Sequence, residues 1–275
     1  MPSVSSIGIF DSGYGGLTIL SEIRSLMPEY NYIYLGDNAR TPYGTRSFDV
    51  VYRFTLESVK QLFFMGCNLV ILACNTASAK ALRTIQQNDL PHIAPDKRVL
   101  GVIRPTTEVI GDLTRSRHVG LFGTEGTVSS LSYNIEIEKL WPDIKVTGQA
   151  CPMWVPLIEN GEAQSEGADY FVEKYCNALM ERDSDIDTVI LACTHYPLLY
   201  DKIRQHLPQN VKIISQGPIV AASLKDYLHR HGDMEKSIKK GGVCRFYTTE
   251  QPEKFAKNAS VFLSDKVTAE TITFR

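Results

Sequence analysis

Two of the six cysteines stand at the same place in a phrase that the chain contains twice. Residues 70–76 read Val-Ile-Leu-Ala-Cys-Asn-Thr, and residues 189–195 read Val-Ile-Leu-Ala-Cys-Thr-His. An apolar run that stops at a cysteine and short polar side chains predicts a buried parallel strand with its polar groups at the carboxyl end, where ligands bind in open α/β sheets. If two halves of the chain face each other, Cys74 and Cys193 lie on opposite sides of one cleft, as proton transfer to both faces of one carbon requires.

Proton transfer by these thiols depends on their ionisation. A thiolate forms near neutral pH when a helix amino terminus or a nearby cation lowers the pKa of the thiol, and both cysteines are predicted to precede helices. His195 follows Cys193 by two residues, and Asp11 is predicted at the end of the strand beside Cys74, so each can relay or orient protons for one thiol. Such a pair would invert an amino acid without a pyridoxal cofactor, provided that fixed charges stabilise the carbanion.

Plainer interpretations of these residues exist. A free cysteine is by default a small buried hydrophobe. We expect that role for the other four, which are Cys67, Cys151, Cys176 and Cys244, with a third thiol of the site as the alternative for Cys151. The repeated context favours a functional pair at Cys74 and Cys193. Zinc binding by Cys193 and His195 is a poor alternative because no second ligand pair has the spacing of a structural site, so we expect no metal.

A second repeated phrase supports two related halves. Residues 8–12, Gly-Ile-Phe-Asp-Ser, match residues 120–124, Gly-Leu-Phe-Gly-Thr, in the same order relative to the two cysteine phrases. We therefore predict an α/β fold of two pseudo-symmetric lobes, each a mostly parallel sheet flanked by helices. The active site is expected in the cleft between the lobes.

The lobe boundaries are predicted from local sequence. Residues 88–98 are polar and contain two prolines, which favours a hinge, and a strand predicted at 99–103 then opens the second lobe. The first lobe is expected to span residues 1–98 and 212–275, and the second lobe residues 99–211.

Composition and charge argue against several classes of function. The 275 residues are 43% hydrophobic and 22% charged, with a net charge of −2, so no global basic field argues for nucleic acid or anionic lipid. The segment from Met1 to Ile7 has no basic region and no long apolar core, and no apolar run approaches the roughly 18 residues that a membrane span needs. We expect a cytoplasmic protein with reduced thiols that needs neither membrane nor nucleic acid.

A glycine-rich turn follows the first predicted strand. Residues 11–16 read Asp-Ser-Gly-Tyr-Gly-Gly and lead into a helix predicted from Leu17 to Met27, and backbone amides in such a turn suit an anionic group of a ligand. A dinucleotide fingerprint is the rival interpretation, since Asp37 follows the next predicted strand. It fails because Thr18 stands where the third glycine belongs, so we expect no nicotinamide cofactor.

Three other segments carry polar groups or bare backbone. Residues 41–44, Thr-Pro-Tyr-Gly, predict either a turn that presents a tyrosine to a ligand or a plain connecting loop. Residues 123–127, Gly-Thr-Glu-Gly-Thr, open a predicted helix, so their hydroxyls would bind a substrate carboxylate or only cap that helix. Residues 151–159 are predicted to form an apolar, proline-containing loop that ends at Glu159.

Together these residues resemble the bacterial glutamate racemases of the aspartate/glutamate racemase superfamily. The resemblance runs over nearly the whole chain and is carried by residues 10–18, 36–44, 73–77, 123–127, 151–159, 192–197 and 246–249. It implies interconversion of L- and D-glutamate without a cofactor, supplying D-glutamate for peptidoglycan. It also implies that Cys74 removes the proton of D-glutamate and Cys193 that of L-glutamate.

The resemblance further implies roles for the residues around the thiols. Asp11, Glu159 and His195 are implied as auxiliary catalytic groups. The residues implied to hold the substrate are Asp11, Ser12, Pro42, Tyr43, Gly44, Asn75, Thr76, Thr124, Thr127, Thr194 and His195. Glutamate is the expected small-molecule substrate, and we expect a homodimer.

The chain departs from the family pattern in two places. Residues 214–217 read Ile-Ser-Gln-Gly where the family often has Ile-Asp-Ser-Gly, which removes an acid from the lobe junction. The chain begins only a few residues before its first predicted strand, so the amino-terminal extension of the members regulated by a peptidoglycan precursor is not expected, nor is that activation.

Two other functions remain open from the sequence. A relative of the same superfamily would racemise aspartate or another small acid, and a panel of amino acids separates that activity from action on glutamate. A regulatory protein, for instance an inhibitor of DNA gyrase, would keep its activity in cells when both thiols are replaced.

Overall fold

The computed structural model describes residues 5–263 and 266–274. Its strands are β1 (Ile7–Asp11), β2 (Tyr32–Gly36), β3 (Leu69–Leu72), β4 (Arg98–Gly101), β5 (His118–Gly123), β6 (Lys145–Ala150), β7 (Thr188–Ala192), β8 (Lys212–Ile214), β9 (Cys244–Thr248) and β10 (Ala269–Thr271). Its helices are α1 (Gly16–Leu26), α2 (Phe48–Phe64), α3 (Asn75–Lys80), α4 (Leu82–Thr84), α5 (Leu90–Ile93), α6 (Ile103–Leu113), α7 (Glu125–Ser129), α8 (Ser132–Leu140), α9 (Trp154–Glu159), α10 (Glu166–Arg182), α11 (Tyr200–His206), α12 (Gln216–Arg230), α13 (Gly232–Ser237) and α14 (Pro252–Ala259). Short 3₁₀ segments lie at Asn38–Arg40 and Tyr196–Leu199, and a π-helical segment at Ile85–Asp89. The predicted first lobe also included residues 1–4, 264–265 and 275, which lie outside the described residues.

The strands form two sheets whose neighbours all run parallel. The first sheet has the order β10-β9-β2-β1-β3-β4, and the second has the order β6-β5-β7-β8. The strands β1, β3 and β7 are buried along their whole length, as apolar strands are when helices cover both faces of a sheet. The predicted α/β fold with two parallel sheets flanked by helices is confirmed.

The repeated phrases occupy equivalent places in the two sheets. The strand that leads to Cys74, β3, lies beside β1, and the strand that leads to Cys193, β7, lies beside β5. Neighbouring parallel strands end at the same edge of a sheet. Asp11 therefore joins Cys74 at the edge of the first sheet, and Thr124 joins Cys193 at the edge of the second.

Sheet pairing places two strands differently from the predicted lobe boundaries. The prediction that a strand at 99–103 opens the second lobe is wrong, because β4 pairs with β3 in the first sheet. The opposite holds for β8, which was assigned to the first lobe but pairs with β7 in the second sheet. The chain thus crosses between the sheets after β4 and returns after β8, close to residues 102 and 215. Segment 88–98 lies before the first crossing.

Helix α12 returns the chain to the first sheet. Its residues Val220, Leu224 and Leu228 are buried in one apolar core with Leu17 and Leu20 of α1. This packing explains why a strand of the second sheet is followed directly by a helix of the first core.

The segment predicted as a loop at 151–159 contains a helix, α9. The proline at its third position is tolerated because the first turn of a helix needs no N–H from that residue. Trp154 is fully buried against Phe122, Tyr175 and Tyr196, with ring centroids 4.9, 5.9 and 4.7 Å apart. The tryptophan fixes the helix whose last residue is Glu159.

All six cysteines are free thiols. The four that were expected to be structural differ in position, and Cys151 and Cys176 share an apolar core with Cys193. Cys67, Cys151 and Cys176 are buried in apolar cores, and Cys244 is partly buried. Within the described part of the chain, no helix is long and apolar enough to cross a membrane.

Candidate active site

Cys74 lies between β3 and α3, where it is the N-cap of the helix. Its Sγ accepts a hydrogen bond from the backbone N–H of Ala77 at 3.4 Å and lies 3.4 Å from Ser12 Oγ. Burial and the negative charge of Asp11 raise the pKa of the Cys74 thiol to about 12, although both hydrogen bonds oppose the shift. The N–H of Ala77 at the helix terminus does lower the pKa of this thiol, as expected, but burial of a residue that is only 5% exposed raises it by more.

Asp11 ends β1 beside Cys74 and is buried. Its Oδ2 accepts a hydrogen bond from the N–H of Gly13 at 2.9 Å, so an amide that was expected to hold an anionic ligand holds this carboxylate. Burial raises the pKa of Asp11, while the positive charge of His195 and the amides of Gly13 and Gly16 oppose the rise. Asp11 therefore lies beside Cys74 and is also within electrostatic range of His195 on the second sheet.

Cys193 ends the equivalent strand, but its polar neighbours are different. Its Sγ lies 3.8 Å from His195 Nδ1, and His195 Nε2 lies 2.9 Å from Glu159 Oε1. Burial would lower the pKa of His195, but its contacts with Cys193 and Glu159 raise it to about 10. His195 is therefore an imidazolium at neutral pH and donates to both partners. Cys193 is followed by a short 3₁₀ segment rather than directly by an α-helix.

The glycine-rich turn of the first sheet packs against side chains of the second. A Cβ at Gly15 would lie 2.3 Å from His195 Nδ1 and 2.3 Å from Thr194 Oγ1, so only glycine leaves room for them. A Cβ at Gly13 would lie 3.4 Å from Glu159 Oε1. The predicted residues of the two repeats thus meet in one site.

Three threonine hydroxyls form a second meeting point. Thr76 Oγ1 lies 2.9 Å from Thr124 Oγ1 and 3.4 Å from Thr127 Oγ1. Thr124 Oγ1 also accepts a hydrogen bond from the N–H of Thr127 at 3.2 Å and so caps α7. The capping interpretation is confirmed, and because Thr76 comes from α3, the hydroxyl cluster joins the two sheets. Binding of a substrate carboxylate by these hydroxyls stays a prediction.

The predicted turn at residues 41–44 contributes backbone rather than a tyrosine hydroxyl. The N–H of Gly126 donates to the carbonyl of Gly44 at 2.8 Å, which ties the turn to α7. The hydroxyl of Tyr43 donates to Asp37 Oδ2, and the tyrosine side chain is 1% exposed. The buried phenol therefore stabilises the turn through Asp37.

Asn75 follows Cys74, and its side chain lies in a buried ring with Tyr133 and Gln216. Asn75 Nδ2 donates to Gln216 Oε1 at 2.7 Å, Gln216 Nε2 donates to Tyr133 Oη at 2.7 Å, and Tyr133 Oη donates to Asn75 Oδ1 at 2.7 Å. None of the three residues is more than 3% exposed. Asn75, which is predicted to bind the substrate, is thus held in place by Tyr133 and Gln216.

Sequence reasoning missed four residues that build this site, namely Thr18, Asp37, Tyr133 and Gln216. Thr18 Oγ1 donates to the carbonyl of Thr194 at 2.9 Å, yet in the sequence it stands out only as a mismatch to the dinucleotide fingerprint. Gln216 is marked by the departure at residues 214–217. Tyr133 carries no sequence signal, since its partners come from distant parts of the chain.

Other cavities and polar groups lie outside this constellation. A cavity of about 170 Å³ adjoins Cys193 and is lined also by Glu22 and Gln216. A larger cavity of about 500 Å³ lies among α6, α8 and α12 and contains none of the predicted site residues. Among the described residues, the group with metal-ligand spacing is His118, Asp183 and Asp185. It lies at the amino end of β5, the opposite edge of the sheet, where Lys145 Nζ pairs with Asp183 at 3.0 Å.

Comparison with known proteins gives consistent matches over most of the chain. The family model described as Asp/Glu/Hydantoin racemase matches residues 18–224. The chain is 42% identical over 272 residues to a glutamate racemase of Roseobacter denitrificans, covering 95% of this chain and 98% of that protein. Among solved structures, it is similar to a glutamate racemase isoform of Bacillus anthracis, with a TM-score of 0.89, 33% identity and 98% coverage of each chain. It is also similar to a glutamate racemase of Francisella tularensis in complex with D-glutamate, with a TM-score of 0.87, 32% identity and coverage of 99% of this chain and 98% of that one.

Proposed function

The chain belongs to the Asp/Glu/Hydantoin racemase family, and from that premise we propose that it is a cofactor-independent glutamate racemase with Cys74 and Cys193 as its two proton-transfer groups. The relatives that carry the name glutamate racemase, one of them with D-glutamate bound, support glutamate as the substrate.

The observation that carries the proposal is the convergence of two thiols from equivalent strand ends on one buried site. The turn at residues 11–16 contacts the surroundings of both thiols. Ser12 Oγ lies 3.4 Å from Cys74 Sγ. A Cβ at Gly15 would lie 2.3 Å from His195 Nδ1, the ring nitrogen that lies 3.8 Å from Cys193 Sγ. This geometry supports a site with a thiol on each of its two sides.

Conversion of L- to D-glutamate begins on the Cys193 side. The Cys193 thiolate takes the α-proton and becomes a thiol, while the imidazolium of His195, held by Glu159, lies where it stabilises the thiolate beforehand. The carbanion then takes the proton of Cys74 on its opposite face, which leaves a Cys74 thiolate. The raised pKa of Cys74 keeps this thiol protonated at neutral pH, which is the form that delivers a proton.

Conversion of D- to L-glutamate runs the same steps in reverse. Cys74 must first lose its proton, and the carboxylate of Asp11 is the buried base on that side. The Cys74 thiolate then removes the α-proton of D-glutamate. On the other side, the imidazolium of His195 gives its proton to the Cys193 thiolate, and the Cys193 thiol delivers that proton to the opposite face of the carbanion. Asp11 and the His195–Glu159 pair thus serve the two thiols separately.

The substrate is held by groups that converge between the sheets. We assign its carboxylates to the hydroxyls of Thr76, Thr124 and Thr127 and to the backbone of the turn at 41–44, because hydroxyls and bare amides donate to carboxylates. Asp11 is the buried anion available for the substrate ammonium. The enzyme is proposed to act in the cytoplasm as a homodimer that supplies D-glutamate for peptidoglycan.

The test is racemisation of L-glutamate in deuterated water by protein freed of small molecules by dialysis, without added cofactor. Optical activity and α-deuterium are followed together for the wild type, Cys74→Ser and Cys193→Ser. Loss of optical activity with deuterium incorporation is expected in the wild type, and a fall of at least about 10³-fold in each variant, since a hydroxyl is a far weaker acid than a thiol. Cys244→Ser, outside the site, is the matched control and is expected to keep its activity.

The same experiment separates the rivals. Faster racemisation of aspartate than of glutamate would identify a small-acid racemase of the same family. No exchange of either amino acid by wild-type protein in fresh reductant would refute the racemase proposal and favour a regulatory role.

A further inference from the structure

The buried ring of Asn75, Tyr133 and Gln216 lies where the chain crosses between the two sheets. Gln216 is the first residue of α12, directly after the second crossing, and its Nε2 donates to the carbonyl of Val102 at the first crossing, at 3.1 Å. Thr106 Oγ1 of α6 lies 3.0 Å from the same nitrogen and itself donates to the Val102 carbonyl at 3.2 Å, so the two hydrogens of Nε2 are shared among Val102, Thr106 and Tyr133. One amide therefore joins both crossings to the helix that follows Cys74.

The orientation of every polar group in this ring is determined. A backbone carbonyl can only accept, so the Gln216 amide must turn its nitrogen towards Val102 and its oxygen towards Asn75. Asn75 then turns Nδ2 to Gln216 and Oδ1 to Tyr133. The phenol has a single hydrogen, which it gives to Asn75 Oδ1, so it accepts from Gln216. Neither amide can flip without leaving a buried donor facing a donor.

The ring also adjoins both thiols. Asn75 follows Cys74 directly. Gln216 lines the small cavity beside Cys193. The ring therefore lies behind the site, between the elements that carry its two reacting groups.

We propose that Gln216 and Tyr133 are positioning residues that fix the Asn75 amide, and with it the Cys74–Asn75 turn, against the substrate. The inference rests on the proposed racemase function and concerns the same site. The ring uses one hydrogen of Asn75 Nδ2 and its Oδ1, which leaves the second N–H of that amide as the group offered to a ligand. Asn75 then acts as a donor of fixed direction, suited to a substrate carboxylate.

The test compares Tyr133→Phe with Tyr32→Phe. Both remove the hydroxyl of a buried tyrosine, and Tyr32 Oη donates to the carbonyl of Met27 at 2.6 Å, outside the site. Both variants are expected to lower Tm by a few degrees. Only Tyr133→Phe is expected to raise KM for both glutamate enantiomers, by about tenfold, which is the usual effect of one lost hydrogen bond on a bound polar group.

A double-variant cycle shows whether Tyr133 and Gln216 act through Asn75. Removal of the amide in Asn75→Ala should abolish most of the further effect of Tyr133→Phe or of Gln216→Met on KM, because the positioned group is gone. Additive effects on KM would overturn the inference. So would a Tyr133→Phe variant that matches Tyr32→Phe in KM and kcat while losing the same Tm, since the ring would then serve stability alone.

A second measurement needs no turnover and keeps the two proposals apart. The rate at which iodoacetamide alkylates Cys74 is expected to change at least about threefold in Tyr133→Phe and not in Tyr32→Phe, because the ring fixes the turn that carries this thiol. Wild-type protein that fails to racemise glutamate would count against the proposed function alone. An unchanged alkylation rate, together with unchanged kinetics, would count against the ring.

Discussion

Cys74 and Cys193 occupy equivalent strand ends, yet the groups around them differ in charge. Cys193 contacts the imidazolium of His195. Cys74 contacts the neutral hydroxyl of Ser12 and lies near the carboxylate of Asp11. One side is therefore built around a cation and the other around an anion. Inversion needs a base on one face and an acid on the other, and a duplicated framework can supply both from two identical side chains by changing only their neighbours.

This asymmetry cannot be measured by comparing the overall efficiency of the two directions. L- and D-glutamate have equal free energies in an achiral solvent, so their equilibrium constant is unity and kcat/KM must be the same in both directions. A difference between the Cys74 and Cys193 sides must therefore be sought in kcat and KM separately, in isotope effects and in the chemistry of each thiol.

The largest expected effect comes from removing the cation on the Cys193 side. His195→Asn is expected to lower kcat/KM in both directions by about 10²–10⁴-fold, because it removes the group that stabilises a thiolate and relays its proton. The primary isotope effect should increase more with α-deuterated L-glutamate than with α-deuterated D-glutamate, since abstraction by Cys193 becomes the slower step. Initial rates with the four substrates test both statements.

His118→Asn is the matched control for that variant. His118 Nδ1 lies 2.8 Å from Asp183 Oδ1, so it also pairs with a carboxylate, but at the far edge of the second sheet. Its kinetics are expected to match those of the wild type. Equal increases of the isotope effect with both enantiomers in His195→Asn would contradict the assignment of His195 to Cys193 alone.

The second expected effect is a pH-dependent contribution of the His195–Glu159 pair to stability. The pKa of His195 is raised from an unfolded value near 6.5 to about 10, so the folded state binds the proton more tightly. This contribution is fully present below about pH 6.5 and is lost as the pH rises towards 10. Glu159→Gln is therefore expected to lower the free energy of unfolding by about 1.5–3 kcal/mol at pH 6.

Urea unfolding of wild type and Glu159→Gln at pH 6, 8 and 9.5 measures the contribution of this pair. The difference between the two proteins should shrink as the pH increases, and groups that titrate in both proteins cancel from it. A difference that stays constant, or grows, over this range would mean that His195 is not held as an imidazolium by Glu159.

The sequence predicts the parts of this site that depend on local pattern. A β-branched run that ends at a cysteine is enough to place both thiols at strand ends, and its repetition pairs them. The lobe borders were misplaced because the partner of a strand is chosen by distant residues: nothing within residues 98–101 tells that they pair with residues 69–72. The helix terminus that lowers the pKa of Cys74 is visible in the sequence, whereas the burial that outweighs it is not. The ring around Gln216 unites residues up to 141 positions apart, which no local pattern reveals.

The smallest expected effect concerns the acidity of Cys74, and it sharpens the contrast between the two sides. The charge of Asp11 raises the pKa of this thiol and the hydrogen bond with Ser12 lowers it. Asp11→Asn should therefore increase the alkylation rate of Cys74 at pH 8 by about tenfold, and Ser12→Ala should decrease it by several-fold, because the rate follows the thiolate fraction.

The opposite signs of these two changes distinguish charge from access. Both substitutions remove polar groups beside a buried sulfur, so a loosened site would let the reagent in faster in both variants. A charge effect instead raises the alkylation rate of Cys74 in Asp11→Asn and lowers it in Ser12→Ala. Mass spectrometry of the Cys193 peptide from the same samples measures any general opening of the cleft. Asp11→Asn should combine a more reactive Cys74 with slower racemisation, since the carboxylate that keeps this thiol protonated also accepts its proton in the D-to-L direction. If Asp11→Asn increased both the alkylation rate of Cys74 and the rate of racemisation, Asp11 would only raise the pKa of Cys74 and would not accept its proton.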